Sequence, residues 1–209
     1  GAWKAFRNHN ANMDTLIALG TGAAWLPGAT EDQRMAQYRR EGIRFGEGEQ
    51  NAARALHEHS ERTAAPLVTV HCAALPKTLQ LEELFGSDSQ PGRIENADGG
   101  TFFLDEVGEL SNEAQSRLLT LLEQGEIHRQ GSLSPRRVDV RVIASSQMDL
   151  PARVTDGRFR EDLYYRLNVM ELELPPLRER KGDVLILTRY FIERFCRDMN
   201  KKALPVSPA

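Results

Sequence analysis

Hydrophobic and polar residues follow two different periods along this chain, and together they predict alternating strands and helices from Gly42 onward. Apolar runs predict strands at four places, namely residues 67–70, 101–104, 137–144 and 171–174. Residues 51–59 are helix-forming, and Ser111 can cap a helix whose apolar positions recur every three or four residues as far as Gly125. Strands that alternate with helices predict an α/β fold with a mostly parallel sheet, covered by helices on both faces.

The beginning of the chain does not share this pattern. Residues 1–26 start basic and turn apolar from Met13, but Pro27 ends the apolar run short of the about 20 residues that a membrane span needs. No small-residue cleavage site follows that would mark a secretory signal. We therefore expect no membrane span, an apolar stub that packs on the domain or frays, and a charged linker over residues 27–41.

Composition narrows the class of protein. The chain has 209 residues, with 27 Lys and Arg against 30 Asp and Glu, and a net charge of −3. This balance argues against disorder and against global attraction to nucleic acid. Cys72 and Cys196 form neither a disulfide framework nor a zinc site, which fits a reducing compartment. We expect a cytoplasmic protein with one hydrophobic core, or a domain plus a fragment.

The strongest chemical signal is the apolar run Phe102–Leu104 followed directly by Asp105 and Glu106. Parallel sheets place their ligand crevice at the carboxyl ends of the strands. Nucleotide hydrolases present one acid there to Mg²⁺, here Asp105, and a second to the attacking water, here Glu106. The alternative is a strand followed by a solvated acidic turn, which is common.

Several longer motifs occur in order around this acid pair, over residues 72–86, 93–110, 138–144, 157–168 and 174–180. Together they resemble the AAA+ domain of bacterial enhancer-binding proteins, the sigma-54-dependent transcriptional activators. The resemblance implies a P-loop-type core over residues 42–180 and the start of a helical lid over residues 181–209. It also implies a homo-oligomeric ring that uses ATP and Mg²⁺ and acts on RNA polymerase holoenzyme.

The resemblance assigns roles to individual residues. Asp105 and Glu106 match the Walker B pair, while Arg160 and Arg166 match arginines that reach the nucleotide of a neighbouring subunit. Alternatively, these arginines pair with nearby surface acids of their own chain.

Two further positions carry a different residue from the family. His71 stands where the family has an asparagine that contacts the catalytic glutamate, and Gln147 stands near the position of the sensor asparagine.

The phosphate-binding loop departs most from the family. A P-loop needs G-x-x-x-x-G-K-[ST], whose backbone amides and lysine hold the phosphates. Ungapped alignment places Gly46, Gly48, Glu49 and Gln50 in the segment G-T-G-K-E, with Glu49 at the lysine position and Ile43 at the first glycine. A carboxylate at the place of the cation opposes a triphosphate, so we expect impaired binding and hydrolysis of ATP.

Two other family segments are missing from this sequence. The sigma-54-contacting loop G-A-F-T-G-A should follow Gly86, but residues 87–92 read SDSQPG. The lid stops after a helix over residues 182–197, before the sensor arginine and the helix-turn-helix, so we expect no DNA-binding domain in this chain. The sequence leaves two hypotheses: a degenerate AAA+ module for interaction or oligomerisation, and a working ATPase module.

A second resemblance concerns only residues 2–26. They are similar to the stretch that enters a transmembrane helix of copper-transporting P-type ATPases. The Cys-Pro-Cys motif and the phosphorylated aspartate motif of that family are absent from the sequence, so copper transport is excluded. We interpret the segment as a fusion scar or a gene-model accident.

Overall fold

A computed structural model describes residues 15–19, 48–132, 134–174, 177–179 and 181–202, with only the backbone given for residues 15–19 and Lys181. The strands are β1 Thr15–Leu19, β2 Leu67–His71, β3 Thr101–Asp105, β4 Glu126–Ile127, β5 Arg136–Arg137, β6 Arg141–Ser146 and β7 Glu171–Glu173. The helices are α1 Gly48–Glu58, α2 Gln80–Phe85, α3 Arg93–Asn96, α4 Asn112–Gln124, α5 Leu150–Thr155, α6 Glu161–Leu167 and α7 Lys181–Asp198.

Five strands form one parallel sheet in the order β2-β3-β6-β1-β7, while β4 and β5 form a separate antiparallel pair. The predicted α/β fold with a parallel sheet is therefore confirmed. The strand predicted over residues 137–144 is wrong as a single element, because β5 pairs with β4 and β6 starts only at Arg141. Residues 138–140 between them run without regular structure.

Strand β1 lies inside the sheet, between β6 and β7, although we expected residues 1–26 to form a stub that packs on the domain or frays. The segment Thr15–Leu19 is a continuous uncharged run that includes β-branched residues. Such a run suits a strand with sheet neighbours on both sides.

Strand β3 joins the two halves of the hydrophobic core, because successive side chains of a strand point to opposite faces. Phe102 belongs to the larger cluster, which includes the apolar face of α4. Phe103 belongs to a smaller cluster with Ala53 and Leu56 of α1 and Ile143 of β6. All five residues of β3 are buried, so this strand fixes the acid pair that follows it.

Helix α4 begins and ends as predicted. The hydroxyl of Ser111 accepts a hydrogen bond from the amide of Ala114 at 3.3 Å, and Gly125 ends the helix with a left-handed φ of 66°. Of the predicted apolar face, Ala114, Leu118 and Leu121 are buried, and Leu122 packs against the core as a partly buried residue.

The Ser111 cap gives a first testable prediction. Replacement of Ser111 by alanine should lower the free energy of unfolding by about 1 kcal/mol, because the amide of Ala114 loses its acceptor. Urea unfolding followed by circular dichroism measures this loss. Gln124→Ala, at the exposed end of the same helix, is the control and should stay within about 0.5 kcal/mol. Equal losses for both variants would contradict a capping role.

Helix α7 corresponds to the predicted first helix of the lid. Ile186, Leu187 and Tyr190 are buried, whereas Phe195 is 54% exposed. Within the part of the chain that the structure describes, none of the helices combines the length and hydrophobicity of a membrane span. The division of the chain into stub, linker, core and lid stays a prediction.

Candidate nucleotide site

The carboxylate of Asp105 is held at the carboxyl edge of the sheet by three side chains. The hydroxyl of Ser145, at the end of β6, donates to Oδ1 at 2.6 Å. On the other oxygen, Oδ2, Nδ1 of His71 lies at 2.9 Å and Nε2 of Gln50 at 3.4 Å. The structure thus brings together the predicted residues Asp105, His71 and Gln50 at the edge where parallel sheets bind ligands.

Ser145 is a member of this site that sequence reasoning missed. Its hydroxyl also accepts a hydrogen bond from the amide of Glu106 at 3.2 Å. Its position at the carboxyl end of the strand beside β3 was the signal that could have identified it.

Glu106 follows β3 in a left-handed backbone conformation, with φ 58° and ψ 54°. This conformation is uncommon for a residue other than glycine, and such residues concentrate at functional sites. Oε2 of Glu106 accepts a hydrogen bond from the backbone amide of Gln147 at 3.2 Å. Gln147 therefore contacts the acid through its main chain, while its side chain is exposed.

His71 contacts a different acid from the one that the resemblance implied. The family's asparagine would contact Glu106, and the other interpretation of His71 was a buried histidine with its hydrogen bonds satisfied. The structure shows an exposed His71 whose ring nitrogen lies on Asp105. The reason is the register of the sheet, which places His71 directly opposite Asp105 in the pairing of β2 with β3.

Glu49 lies in the first turn of α1 and is only 3% exposed. Its Oε1 atom is buried and has no hydrogen-bond partner among the described residues. Burial, together with the smaller effect of the charges of Asp105 and Glu106, raises the pKa of Glu49 to about 7, although a hydrogen bond from its own backbone amide acts in the opposite direction. Gly48 beside it is also buried, and Gly46 lies outside the described residues.

The thiol of Cys72 adjoins the same edge. Burial, with the nearby charges of Asp105 and Glu106, raises its pKa to about 12. This cysteine is therefore a neutral core residue and not a nucleophile.

Arg160 lies directly before α6, and Arg166 lies in the last turn of that helix. Arg160 pairs with both carboxylate oxygens of Asp162, at 3.0 and 2.7 Å, and donates to the hydroxyl of Ser116 at 3.1 Å. Arg166 donates to the carbonyl oxygen of Leu122 at 3.2 and 2.9 Å. In the single chain, Arg160 therefore makes the surface-acid contact that the sequence left as the alternative, and the pairing lowers the pKa of Asp162.

A closed turn occupies the position of the sigma-54-contacting loop. Gly86 and Pro91 form an antiparallel bridge across it, and the amide of Ser87 donates to the carbonyl of Gln90 at 2.9 Å. The turn is tied to the β4–β5 hairpin because the amide of Gln130 donates to the carbonyl of Gly86 at 2.9 Å. A turn this short presents no extended loop.

A parallel α/β sheet with an acid pair at the end of an inner strand defines the class of P-loop-type AAA+ domains. Within that class, the chain belongs to the family described as the Sigma-54 interaction domain, which matches residues 42–173. It is thus an AAA+ domain of the bacterial transcription-regulator type.

Its similarity extends to named relatives. It is 44% identical over 172 residues to the DNA-binding transcriptional regulator NtrC of Klebsiella pneumoniae, covering 78% of this chain and 37% of NtrC. It is 52% identical over 157 residues to the nitric oxide reductase transcription regulator NorR2 of Cupriavidus necator, covering 71% of this chain and 30% of NorR2. The chain thus spans about a third of the length of these curated relatives.

Solved structures show the same likeness. NtrX from Brucella abortus, crystallised in complex with ATP, superimposes with a TM-score of 0.76 at 29% identity. The match covers 93% of this chain and 39% of the NtrX chain.

The described residues fit a nucleotide and its metal only in part. Asp105 offers the carboxylate that Mg²⁺ prefers, but the described residues contain no group of three or more metal-ligating side chains close enough to hold a metal ion. Glu49 places a buried carboxyl where alignment with the family puts a lysine, and the sequence contains no Gly-Lys pair anywhere. The site therefore does not fit a polyphosphate in the way a P-loop does.

Proposed function

We propose that this chain is a degenerate AAA+ domain of a sigma-54-type transcriptional regulator, impaired in ATP binding and hydrolysis. In this proposal it acts in the cytoplasm as an interaction or oligomerisation module. The observation that carries the proposal is the buried carboxyl of Glu49, whose Oε1 has no hydrogen-bond partner, near the charges of Asp105 and Glu106. Within the described part of the chain no cationic side chain offsets Glu49, and its carboxylate, with Asp105 and Glu106 nearby, repels the anionic phosphates that the family binds.

A second candidate is a working ATP-binding or ATPase module of a bacterial transcriptional regulator. Asp105 and Glu106 are held by hydrogen bonds at the carboxyl edge, as catalytic acids would be. The related NtrX of Brucella abortus has been crystallised with ATP and with ADP. In this candidate, Arg160 and Arg166 serve the nucleotide of a neighbouring subunit, since a guanidinium stabilises charge on a transferring phosphoryl group.

The proposed partner is a second copy of the chain in a ring. The exposed face of α6 supports this, because Tyr165 is 67% exposed and Val169, just after the helix, is 55% exposed. Contact with RNA polymerase holoenzyme through the usual loop is not expected, because a closed turn stands at its position.

Titration with a fluorescent ATP analogue and Mg²⁺ tests the proposal. We expect no saturable binding below about 1 mM, which corresponds to a binding free energy of about −4 kcal/mol. Asp105→Asn is the matched variant, because it removes the only Mg²⁺-suited acid of β3 and should change nothing if no nucleotide is held. Micromolar affinity that Asp105→Asn abolishes would overturn the proposal and favour the second candidate.

A further inference from the structure

The three acids at the carboxyl edge of the sheet, Asp105, Glu106 and Glu49, differ in their hydrogen bonds. Oxygens of Asp105 contact Ser145, His71 and Gln50, and Glu106 accepts from the amide of Gln147. Glu49 is 3% exposed, and its Oε1 atom is the only buried side-chain oxygen or nitrogen without a partner in the part of the chain that the structure describes.

Among the described residues, none of the groups that shift the pKa of Glu49 is a cation. From the end of β3 Glu49 faces Asp105 and Glu106, which are both acids. The end of β2 contributes His71, whose ring lies on Asp105, and the buried thiol of Cys72 follows it. The first turn of α1 favours a negative charge, but this helix-dipole effect is small beside the cost of an unpartnered buried carboxylate.

We propose that Glu49 is a proton-binding site, which switches this edge between two and three negative charges. The inference deepens the proposed function and rests on it, because both concern the edge that faces a nucleotide in the family. With Glu49 neutral, repulsion from Asp105 and Glu106 is removed and α1 packs on β3 without a buried charge. With Glu49 ionised, the first turn of α1 holds a buried negative charge that is repelled by Asp105 and Glu106.

The pH dependence has a defined sign. The folded pKa of Glu49, about 7, lies above its ordinary value of 4.5, so the folded state binds more protons than the unfolded state between these values. Stability should therefore fall as the pH rises from about 4.5 to about 7, and this contribution should stay constant at higher pH.

Carbon-13 NMR of the glutamate side-chain carboxyls of the full chain tests the site directly. One resonance, identified by its loss in Glu49→Gln, should titrate with a midpoint near 7. A midpoint below about 5 for that resonance would overturn the proposal.

Thermal unfolding at two pH values gives an independent readout. Glu49→Gln should match the wild-type Tm at pH 4 and exceed it by about 4 to 8 °C at pH 8, because the wild type loses this stability between about pH 4.5 and 7 and the variant has no ionisable group there. Glu58→Gln is the control, since Glu58 lies on the same helix and is exposed. It should leave the Tm unchanged at both pH values. An equal effect of Glu49→Gln at both pH values would contradict the switch.

The two proposals fail in different ways. Titration of Glu49 near neutral pH together with micromolar ATP affinity would remove the proposed function and keep the proton site. Absence of ATP binding together with an ordinary Glu49 midpoint would remove the proton site and keep the proposed function.

Discussion

Replacement of Glu49 by lysine should raise the affinity of this chain for an ATP analogue with Mg²⁺ by about tenfold to a hundredfold at pH 8. The substitution changes the sign of the group at the position that alignment with the family gives to the phosphate-binding lysine. At an effective dielectric constant of about 20, one unit charge at about 5 Å contributes about 3 kcal/mol. Water and Mg²⁺ around the phosphates screen part of this, which sets the smaller expected gain.

A matched substitution separates this local effect from net charge. Glu58→Lys makes the same change of charge at an exposed position of the same helix, and it should leave the affinity unchanged. The gain from Glu49→Lys over wild type should also be smaller at pH 6, where most of the Glu49 carboxyl is already neutral. Equal affinities for both lysine variants would show that charge at Glu49 does not limit binding.

The sequence predicted those strands in which a short run of apolar residues coincides with the buried segment. The strands at residues 67–70, 101–104 and 171–174 agree with β2, β3 and β7 within one residue, because each is a short apolar run. Alternation continued across residues 137–144, so no local signal marked the change of partner between β5 and β6. That boundary depends on tertiary pairing, which single-sequence patterns do not contain.

β1 was missed for a different reason. Thr15–Leu19 has the composition of a buried strand, but the family resemblance begins only at Gly42, so we assigned the segment to a stub. Its place between β6 and β7 comes from sheet pairing with strands more than 120 residues away. A short apolar run alone cannot identify such a partner.

The sequence predicted which residues belong to the candidate site better than it predicted the contacts between them. A strand that ends in two acids identified Asp105 and Glu106, but the contact of His71 with Asp105 follows from the β2–β3 register. The burial of Glu49 depends on how the first turn of α1 packs against β3, and its polar side chain gave no sign of it. Charge replacement was visible in the sequence, whereas the raised pKa required the structure.

Replacement of Phe103 by alanine should lower the free energy of unfolding by about 3 to 5 kcal/mol. The ring is fully buried and joins β3 to Ala53 and Leu56 of α1 and to Ile143 of β6. Its removal leaves a cavity directly beneath α1, where the tight packing of the interior cannot fully close. Urea unfolding at low temperature measures the loss, because the linear extrapolation gives the unfolding free energy in water.

Phe102 provides the matched control, because it is equally buried on the opposite face of β3, in the larger cluster. Phe102→Ala should cost a similar free energy of unfolding, but only Phe103→Ala should loosen α1 and let water reach Glu49. The NMR midpoint of Glu49 should then fall toward its ordinary value in Phe103→Ala and stay near 7 in Phe102→Ala. An unchanged Glu49 midpoint in both variants would show that the packing of α1 on Phe103 does not exclude water from the Glu49 carboxyl.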